Sequence, residues 1–196
     1  MAKKDIILSG VGGQGILSIA TVIGWAALDQ NLHLKQAEVH GMSQRGGDVQ
    51  SNLRISTERI WSDLIPKGEC DLILSLEPME ALRYLPWLSK GGWIVTNSTP
   101  FVNIPNYPPV EEITAELQKI GNVITLDCDE IAKQTGSPRS ANMVLLGASA
   151  AVLEILDPDK LREGITNVFS RKGEKIVEMN IAAFNAGQEV SKNFSK

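Results

Sequence analysis

Apolar positions along the 196-residue chain follow two rhythms, short runs or period-two alternation and a period near that of a helix, and these alternate from the start. Lys4 to Ser9, carrying Ile6, Ile7 and Leu8, reads as a strand. Gln14 to Gln30 reads as a helix, with Ile16, Leu17, Ile19, Ala20, Ile23 and Ala27 at helical spacing. Leu32 to Val39 is a second strand. In Asp48 to Ser56, Val49, Leu53 and Ile55 share one face and Gln50, Asn52 and Arg54 the other, the pattern of a strand with one wet or partner-facing side. Asp71 to Leu76 is a continuous apolar run, as in parallel strands covered on both faces. Pro78 opens a helix to Leu88, with Pro86 ending or kinking it. Trp93 to Thr96 is a strand after Gly91-Gly92. Residues 97–109 hold four prolines and form an ordered surface loop. Val110 to Ile120 is a helix, Asn122 to Leu126 the last clear strand, and Ile131 to Gln134 a helical turn.

The final third is helical. Arg139 to Ile155 is rich in Ala, Gly and Ser, so another element can approach it closely. Asp157-Pro158 caps the next helix, to Ser170. Residues 174–192 form the last, with Ile176, Met179, Ile181, Ala182, Phe184 and Ala186 as its apolar positions. The order predicts an α/β fold of three layers: a mostly parallel sheet, helices on both faces, and a helical C-terminal third, in a single domain over residues 1–196.

Bulk composition narrows the function classes. Apolar residues make up 43%, charged residues 21%, and the net charge is −4. No basic stripe appears, so no nucleic-acid partner is expected. The longest apolar stretch, Ala141 to Leu156, is interrupted by Glu154 and falls short of the ~20 residues that span a bilayer, so no membrane partner is expected either. The apolar run after Met1-Ala2-Lys3-Lys4-Asp5 is too short for a signal peptide, which predicts a cytoplasmic protein. Cys70 and Cys128 read as core thiols in a reducing compartment. His33 and His40 have no cysteine or carboxylate at metal-ligand spacing, so no metal site is expected, and no nucleophilic triad has a local signature. No catalytic residue is assigned to this chain.

The chemistry concentrates in two segments. Gly10-Val11-Gly12-Gly13-Gln14-Gly15 matches G-x-G-x-x-G between a strand and a helix. Gly10 permits the tight turn, Gly12 close approach of a ligand to the backbone, and Gly15 close packing of helix on strand. Free N–H groups at the helix start carry roughly half a positive charge, suited to phosphate or carboxylate. Glu38 to Gly47 (EVHGMSQRGG) follows the next strand, so both segments should emerge at one edge of the sheet. Gly46-Gly47 can form an anion-binding concavity, Arg45 adds a fixed planar cation, Ser43 and Gln44 neutral donors, and His40 a group that titrates near neutrality. Glu77, Asn97 and Ser98 follow other strands and could face the same crevice. Three readings fit. With Glu38 as the acid of a Rossmann-like dinucleotide site, the chain binds NAD(P) or FAD, although residues 40–47 then occupy the adenosine's space. With the glycines serving only a tight turn, it is a ligand-free structural adaptor. The third reading is an anion site facing a partner.

Strand–GVGGQG–helix, then EVHGMSQRGG and the alternating strand DVQSNLRI, resembles the gamma subunit or domain of 2-oxoacid:ferredoxin oxidoreductases. The resemblance covers the whole chain, including Ser137-Pro138-Arg139-Ser140-Ala141-Asn142-Met143 at the start of a long helix. In Val39 to Met42 it is nearest to the small (beta) subunits of indolepyruvate ferredoxin oxidoreductases. It implies a Rossmann-like gamma-type domain that supports CoA-dependent oxidative decarboxylation of a 2-oxoacid, such as indolepyruvate, another arylpyruvate or pyruvate. Acyl-CoA and CO2 are the products, and electrons pass to ferredoxin in anaerobic metabolism. Two isolated cysteines do not ligate a four-iron cluster and no Mg-diphosphate motif is present, so thiamine diphosphate, Mg and the iron–sulfur clusters are expected on a large partner subunit. No cofactor is expected on this chain, which should be inactive alone. Gly12, Gly13, Gln14, Gly15, Ser43, Gln44, Arg45, Gly46 and Gly47 are then expected to face that partner and bind coenzyme A phosphates, the substrate carboxylate, or the partner itself. The helix from Ala141 to Leu156 and the apolar face near Trp87 and Trp93 are the expected partner surface, which a homodimer would cover when the chain is expressed alone.

Overall fold

The computed structural model describes residues 2–40 and 46–192, with His40 described by its backbone alone. Six strands, β1 (Lys3–Val11), β2 (His33–His40), β3 (Asp48–Ser56), β4 (Cys70–Ser75), β5 (Leu88–Asn97) and β6 (Val123–Leu126), form one sheet in the order β2-β3-β1-β4-β5-β6. β1 runs parallel to β4, as β4 does to β5 and β5 to β6, with Ile6 opposite Leu72 and Ile73 opposite Ile94. β3 runs antiparallel to both β1 and β2, with Ile6 opposite Leu53. Five strands therefore share one direction, and the sheet is mostly parallel as the pattern predicts.

Alternation within the buried strands divides the core. Ile6, Leu8, Leu72 and Leu74 point to the face covered by α1 (Ile16–Asp29), α4 (Cys128–Gln134) and α5 (Ala141–Ser149). Ile7, Ile73 and Ile94 point to the other face, covered by α2 (Pro78–Arg83) and α3 (Val110–Gln118). Both faces are dry, which is why these strands read as continuous apolar runs. The C-terminal helices form an outer cover: α6 (Pro158–Phe169) packs on α1, and α7 (Glu174–Ser191) packs on α5.

The α5–α7 crossing is a backbone contact. A Cβ on Gly147 would sit 1.9 Å from the Phe184 carbonyl oxygen, and one on Gly187 would sit 1.9 Å from that of Val144. The close approach expected of the Ala-, Gly- and Ser-rich segment is thus made by α7. It uses the Asn180, Ala183, Phe184, Gly187 face, which shares Phe184 with the expected apolar set, whereas Ile176 and Ala182 of that set are exposed.

Several elements depart from expectation. The helix from Pro78 stops at Arg83, and Pro86 lies in a separate short turn, Leu85–Trp87. Proline lacks an N–H and pushes the residue before it out of the helical region, so the longer helix does not form. α5 ends at Ser149, short of Ile155. The amides of Val152 and Leu153 both donate to the Ser149 carbonyl, and the resulting turn keeps Leu153 and Leu156 in the core. The polar face of β3, expected to meet water or a partner, is covered by the chain's own 57–65 segment. Asn52 accepts from the Ile65 amide at 3.3 Å, and Arg54 donates to the carbonyls of Ser62 and Leu64, each at 3.1 Å. Arg54 also grips the buried Asp5 carboxylate at 2.8 and 3.1 Å. No helix among the described residues is long and apolar enough to cross a membrane.

The expected partner surface is corrected as well. Ala141 to Leu156 is largely enclosed by the chain's own sheet and α7, and Trp87 and Trp93 are half-buried against the two cores. The large apolar side chains left exposed are elsewhere, with Trp61 at 79% and Val102 at 67%.

Candidate functional site

The chain passes from β1 through α1 to β2 and β3 on one side of β1, then crosses to β4 on the other. The break in direction falls between the C-terminal ends of β1 and β4, where open α/β sheets bind ligands. The first glycine turn occupies that point. Gly12 N–H donates to the Gly47 carbonyl at 2.8 Å, and Gly46 N–H donates to the Gly12 carbonyl at 3.3 Å, so the β1–β3 ladder continues into both turns. The two glycine segments are therefore in contact at one rim. Of the second segment, Gly46 and Gly47 are brought there, whereas Ser43, Gln44 and Arg45 lie outside the described residues.

Within the first turn the residues divide by role. Gly13 is exposed, with φ +105° and nothing within 4 Å of where a Cβ would sit, so it is open to a ligand or partner. Gly15 caps α1 at φ +88°, and a Cβ there would meet the Asn142 side-chain nitrogen at 2.6 Å. That nitrogen donates to the Gly15 carbonyl at 3.2 Å, fixing the turn to the start of α5. Both ends of the Gln14 amide are held inside the chain. Its oxygen accepts from Val11 N–H at 2.7 Å and its nitrogen donates to the Leu76 carbonyl at 3.1 Å, which bridges the ends of β1 and β4. Gln14 thus shapes the turn by its side chain. α1 begins with no side-chain cap and no acid in its first turn, so its terminal N–H dipoles are not offset locally.

Two clefts flank this turn. One of about 400 Å³ is mainly apolar, lined by Val11, Gly12, Gly13, Ile16, Leu17 and Val49 among others. The other, of about 490 Å³, lies toward α5 and α7 and carries Arg139 and Lys172. A larger cleft of about 830 Å³, lined by Lys4, Asp71 and Trp93 among others, sits at the opposite, N-terminal rim, away from both glycine turns.

The remaining strand-end residues are taken up by the fold. Glu77 is fully buried. It accepts from Glu80 N–H at 2.8 Å, from Phe101 N–H at 3.3 Å and from the Tyr107 hydroxyl, so it caps α2 and anchors the 98–109 loop. Burial and the bond to Glu77 raise the Tyr107 phenol above its ordinary range. Asn97 accepts from Cys128 N–H at 3.0 Å and donates to Asp129 at 2.9 Å, tying β5 to α4. The Ser98 amide donates to the Leu126 carbonyl. Glu77 and Asn97 are both buried and do not open to the crevice. The loop that Glu77 anchors reaches back to the rim, where Asn103 donates to the Gly46 carbonyl at 2.7 Å.

Glu38 is exposed and accepts from Gln36 at 2.7 Å. Because β3 lies between β2 and β1, Glu38 sits two strands from the glycine turn, about 10 Å instead of about 5 Å. His33 is exposed, and the His40 side chain lies outside the described residues. Both cysteines are buried. Burial pushes the Cys70 thiol up to about 12 and raises that of Cys128 well above its usual range. Thiolate is the ligating form, and no group of three or more His, Cys, Asp or Glu among the described residues could hold a metal ion. The donor set does not fit an iron–sulfur cluster.

Asn103 acts at the rim without any sign in the sequence, and Asn142 stood only inside a segment of the resemblance, with no role of its own. Each contact spans a long sequence separation and depends on where the helix or loop docks. Arg139 stood only inside a segment of the resemblance, with no role of its own.

Comparison with known proteins follows the same outline. The family model described as pyruvate ferredoxin/flavodoxin oxidoreductase matches residues 5–190. The indolepyruvate oxidoreductase subunit IorB of Pyrococcus horikoshii is 36% identical over 201 residues, spanning 98% of each chain. Among solved structures, the gamma subunit of a keto/oxoacid ferredoxin oxidoreductase from Geobacter sulfurreducens superposes with a TM-score of 0.69 at 27% identity, over 97% of this chain and 99% of that one. A 2-oxoglutarate:ferredoxin oxidoreductase from Magnetococcus marinus, with 2-oxoglutarate, coenzyme A and succinyl-CoA bound, superposes with a TM-score of 0.76 over 100% of this chain and 32% of that one. At 22% identity the latter likeness is one of fold.

Proposed function

The chain belongs to the pyruvate ferredoxin/flavodoxin oxidoreductase family, and we propose that within it the chain is the small subunit of an arylpyruvate-type 2-oxoacid:ferredoxin oxidoreductase, acting on indolepyruvate. The full-length match to an indolepyruvate oxidoreductase subunit supports the substrate class. The direct backbone pairing of Gly12 with Gly46 and Gly47 carries the site assignment, because it joins the two N–H-rich turns into one rim.

In the reaction, a 2-oxoacid, coenzyme A and two oxidised ferredoxins give acyl-CoA, CO2, two reduced ferredoxins and a proton. Thiamine diphosphate supplies the carbanion chemistry and iron–sulfur clusters the electron path, both on the large subunit. This chain contributes one gamma-type domain that closes the cleft. Gly12, Gly13 and Gly15 turn backbone toward the large subunit, and Gln14 holds that turn in shape. The segment Ser43, Gln44, Arg45, Gly46 and Gly47 faces the same cleft, with Arg45 as the cation for coenzyme A or the 2-oxoacid carboxylate. Closure excludes water from the reacting centre. Expressed alone, the chain leaves this rim uncovered and self-associates into a homodimer, which light scattering would detect.

The dinucleotide reading loses its acid, since Glu38 is displaced by the width of β3. The adaptor reading makes a different forecast for the same experiment. Co-expression with the large subunit should yield a brown complex that reduces ferredoxin only with coenzyme A, and with indolepyruvate in preference to pyruvate or 2-oxoglutarate. Arg45→Ala should raise KM for coenzyme A or the 2-oxoacid with assembly intact. Unchanged kinetics in that variant would leave the adaptor reading standing.

A further inference from the structure

The junction of β4 and α2, Leu76-Glu77, holds both glycine turns. The first is tied to it directly, since the Gln14 side-chain nitrogen donates to the Leu76 carbonyl at 3.1 Å. The second is tied to it through the 98–109 loop. That loop leaves the end of β5 and has to cross three strand spacings, about 14 Å, to reach the start of β3. One oxygen of the Glu77 carboxylate grips it twice, accepting from Phe101 N–H at 3.3 Å and from the Tyr107 hydroxyl. The two contacts fall on either side of Asn103, whose side-chain nitrogen donates to the Gly46 carbonyl at 2.7 Å. Gly46 N–H donates to the Gly12 carbonyl at 3.3 Å, and Gly12 N–H to the Gly47 carbonyl at 2.8 Å. The hydrogen bonds therefore close a circuit, from Glu77 through Asn103 to the second turn, across to the first, and back through Gln14 to Leu76.

Glu77 is fully buried, and its side chain is held by two amides and a hydroxyl. A carboxylate in that setting is costly to leave short of a donor. One of its oxygens caps α2 through Glu80 N–H, and the other serves the loop. Four prolines, Pro100, Pro105, Pro108 and Pro109, restrict the loop before it folds, so less freedom is lost in fixing it. Asn103 itself is half-buried and lies outside both apolar cores. We infer that Asn103 is a positioning residue for the ligand site at this rim: it sets the spacing of the Gly12–Gly13 and Gly46–Gly47 backbones, and the Glu77–Tyr107 clamp sets Asn103. It acts through the Gly46 carbonyl, not by touching the ligand. Two turns that offer backbone N–H groups hold an anion well only when both are aimed at one point. What the rim binds, coenzyme A or the 2-oxoacid, rests on the proposed function; the clamp itself does not.

Three substitutions separate the bond from the bulk of the side chain. Asn103→Ala removes the donor, Asn103→Asp keeps the shape without the donor, and Asn106→Ala removes an exposed amide of the same loop as a control. In the isolated full-length chain, amide exchange at Gly12 and Gly46 should quicken roughly three- to tenfold in both Asn103 variants, the weight of one hydrogen bond. Tm and exchange at Ile7 and Leu8 should match the parent, and Asn106→Ala should match it throughout. In the complex with the large subunit, both Asn103 variants should raise KM for coenzyme A or the 2-oxoacid by a similar factor with kcat unchanged. Tyr107→Phe should raise the same KM and add nothing to Asn103→Ala in the double variant. If Tyr107→Phe melts early, the two Asn103 variants carry the test. Asn103→Asp behaving as the parent would show the donor to be idle and overturn the inference. A fall in Tm with faster exchange along β1 would make Asn103 a general stabiliser and overturn it too. Faster exchange at the glycines with both KM values unmoved would overturn the positioning role and leave the proposed function standing. A parent complex without CoA-dependent activity would sink the proposed function, and the exchange result alone would then uphold or overturn the spacing of the turns by Asn103.

Discussion

Replacing Gly15 by alanine separates backbone strain from side-chain collision at the glycine turn. At φ +88° an alanine sits in the left-handed region, at a cost of ~1–2 kcal/mol. The new Cβ would also lie 2.6 Å from the Asn142 side-chain nitrogen, displacing it from the Gly15 carbonyl it now reaches at 3.2 Å. That lost bond is worth ~1 kcal/mol. The sum is ~2–3 kcal/mol, which in a domain of this size lowers Tm by roughly 4–12 °C. Gly13→Ala is the internal reference. Its φ of +105° carries comparable strain, but its Cβ meets nothing within 4 Å, so it should lack the last ~1 kcal/mol. Both substitutions remove the same unfolded-chain freedom, which cancels in the comparison. Calorimetric melts of the two variants, repeated in an Asn142→Ala background, form a double-mutant cycle. Without the Asn142 side chain, Gly15→Ala should become no worse than Gly13→Ala. Equal cost of Gly15→Ala in both backgrounds would refute the proposed collision.

Gly147→Ala and Gly187→Ala each place a methyl 1.9 Å from a carbonyl oxygen across the α5–α7 crossing; each should destabilise by about 3 kcal/mol or more, read as a lower guanidinium midpoint. Arg54→Ala leaves the buried Asp5 carboxylate with Lys3 at 3.0 Å as its remaining cation and should cost about 3 kcal/mol. It should also speed amide hydrogen exchange at residues 57–65, whose carbonyls Arg54 holds. At high pH, burial raises the Cys70 thiol from 9.0 and the Tyr84 phenol from 10.0, each to about 12. A raised value favours the protonated fold, so this stability is present below the ordinary value and lost as pH rises toward about 12. Tyr84→Phe should flatten the fall in Tm above pH 10, and iodoacetamide should label Cys70 and Cys128 only after unfolding.

The layers of this fold were legible because they follow from local pattern. Continuous apolar runs at Ile6 to Leu8 and Asp71 to Leu76 mark strands covered on both faces, and Asp157-Pro158 marks the start of α6, where the Asp157 side chain accepts from Asp159 N–H. Element lengths were less legible. Nothing in the composition of Ala141 to Leu156 says that a helix should stop at Ser149, since Val152, Leu153 and Leu156 are as apolar as the residues before them. The stop is visible only in the fold, where a turn on the Ser149 carbonyl returns Leu153 and Leu156 to the core. The buried polar face of β3 has the same origin, for Arg54 and Asn52 look like solvated residues until the 57–65 segment folds across them.

Strand order decides what lies beside the glycine turn, and strand order is what local pattern does not encode. The sequence places an acid at the end of the second strand, as a dinucleotide site requires, and the chain does carry Glu38 there. Had β2 paired directly with β1, that acid would stand about 5 Å from the turn. Instead the alternating strand Asp48–Ser56 slides between them, and its first residues carry Gly46 and Gly47 into backbone contact with Gly12. One topological choice therefore moves that acid away from the turn and sets a second glycine turn against the first. A hairpin of β2 and β3 with β3 inward is compatible with the 40–47 connection, and the apolar Leu53 and Ile55 face gives β3 reason to sit in the sheet interior beside β1. The antiparallel strand thus both moves the acid away from the first glycine turn and joins the two glycine turns by backbone pairing at one rim.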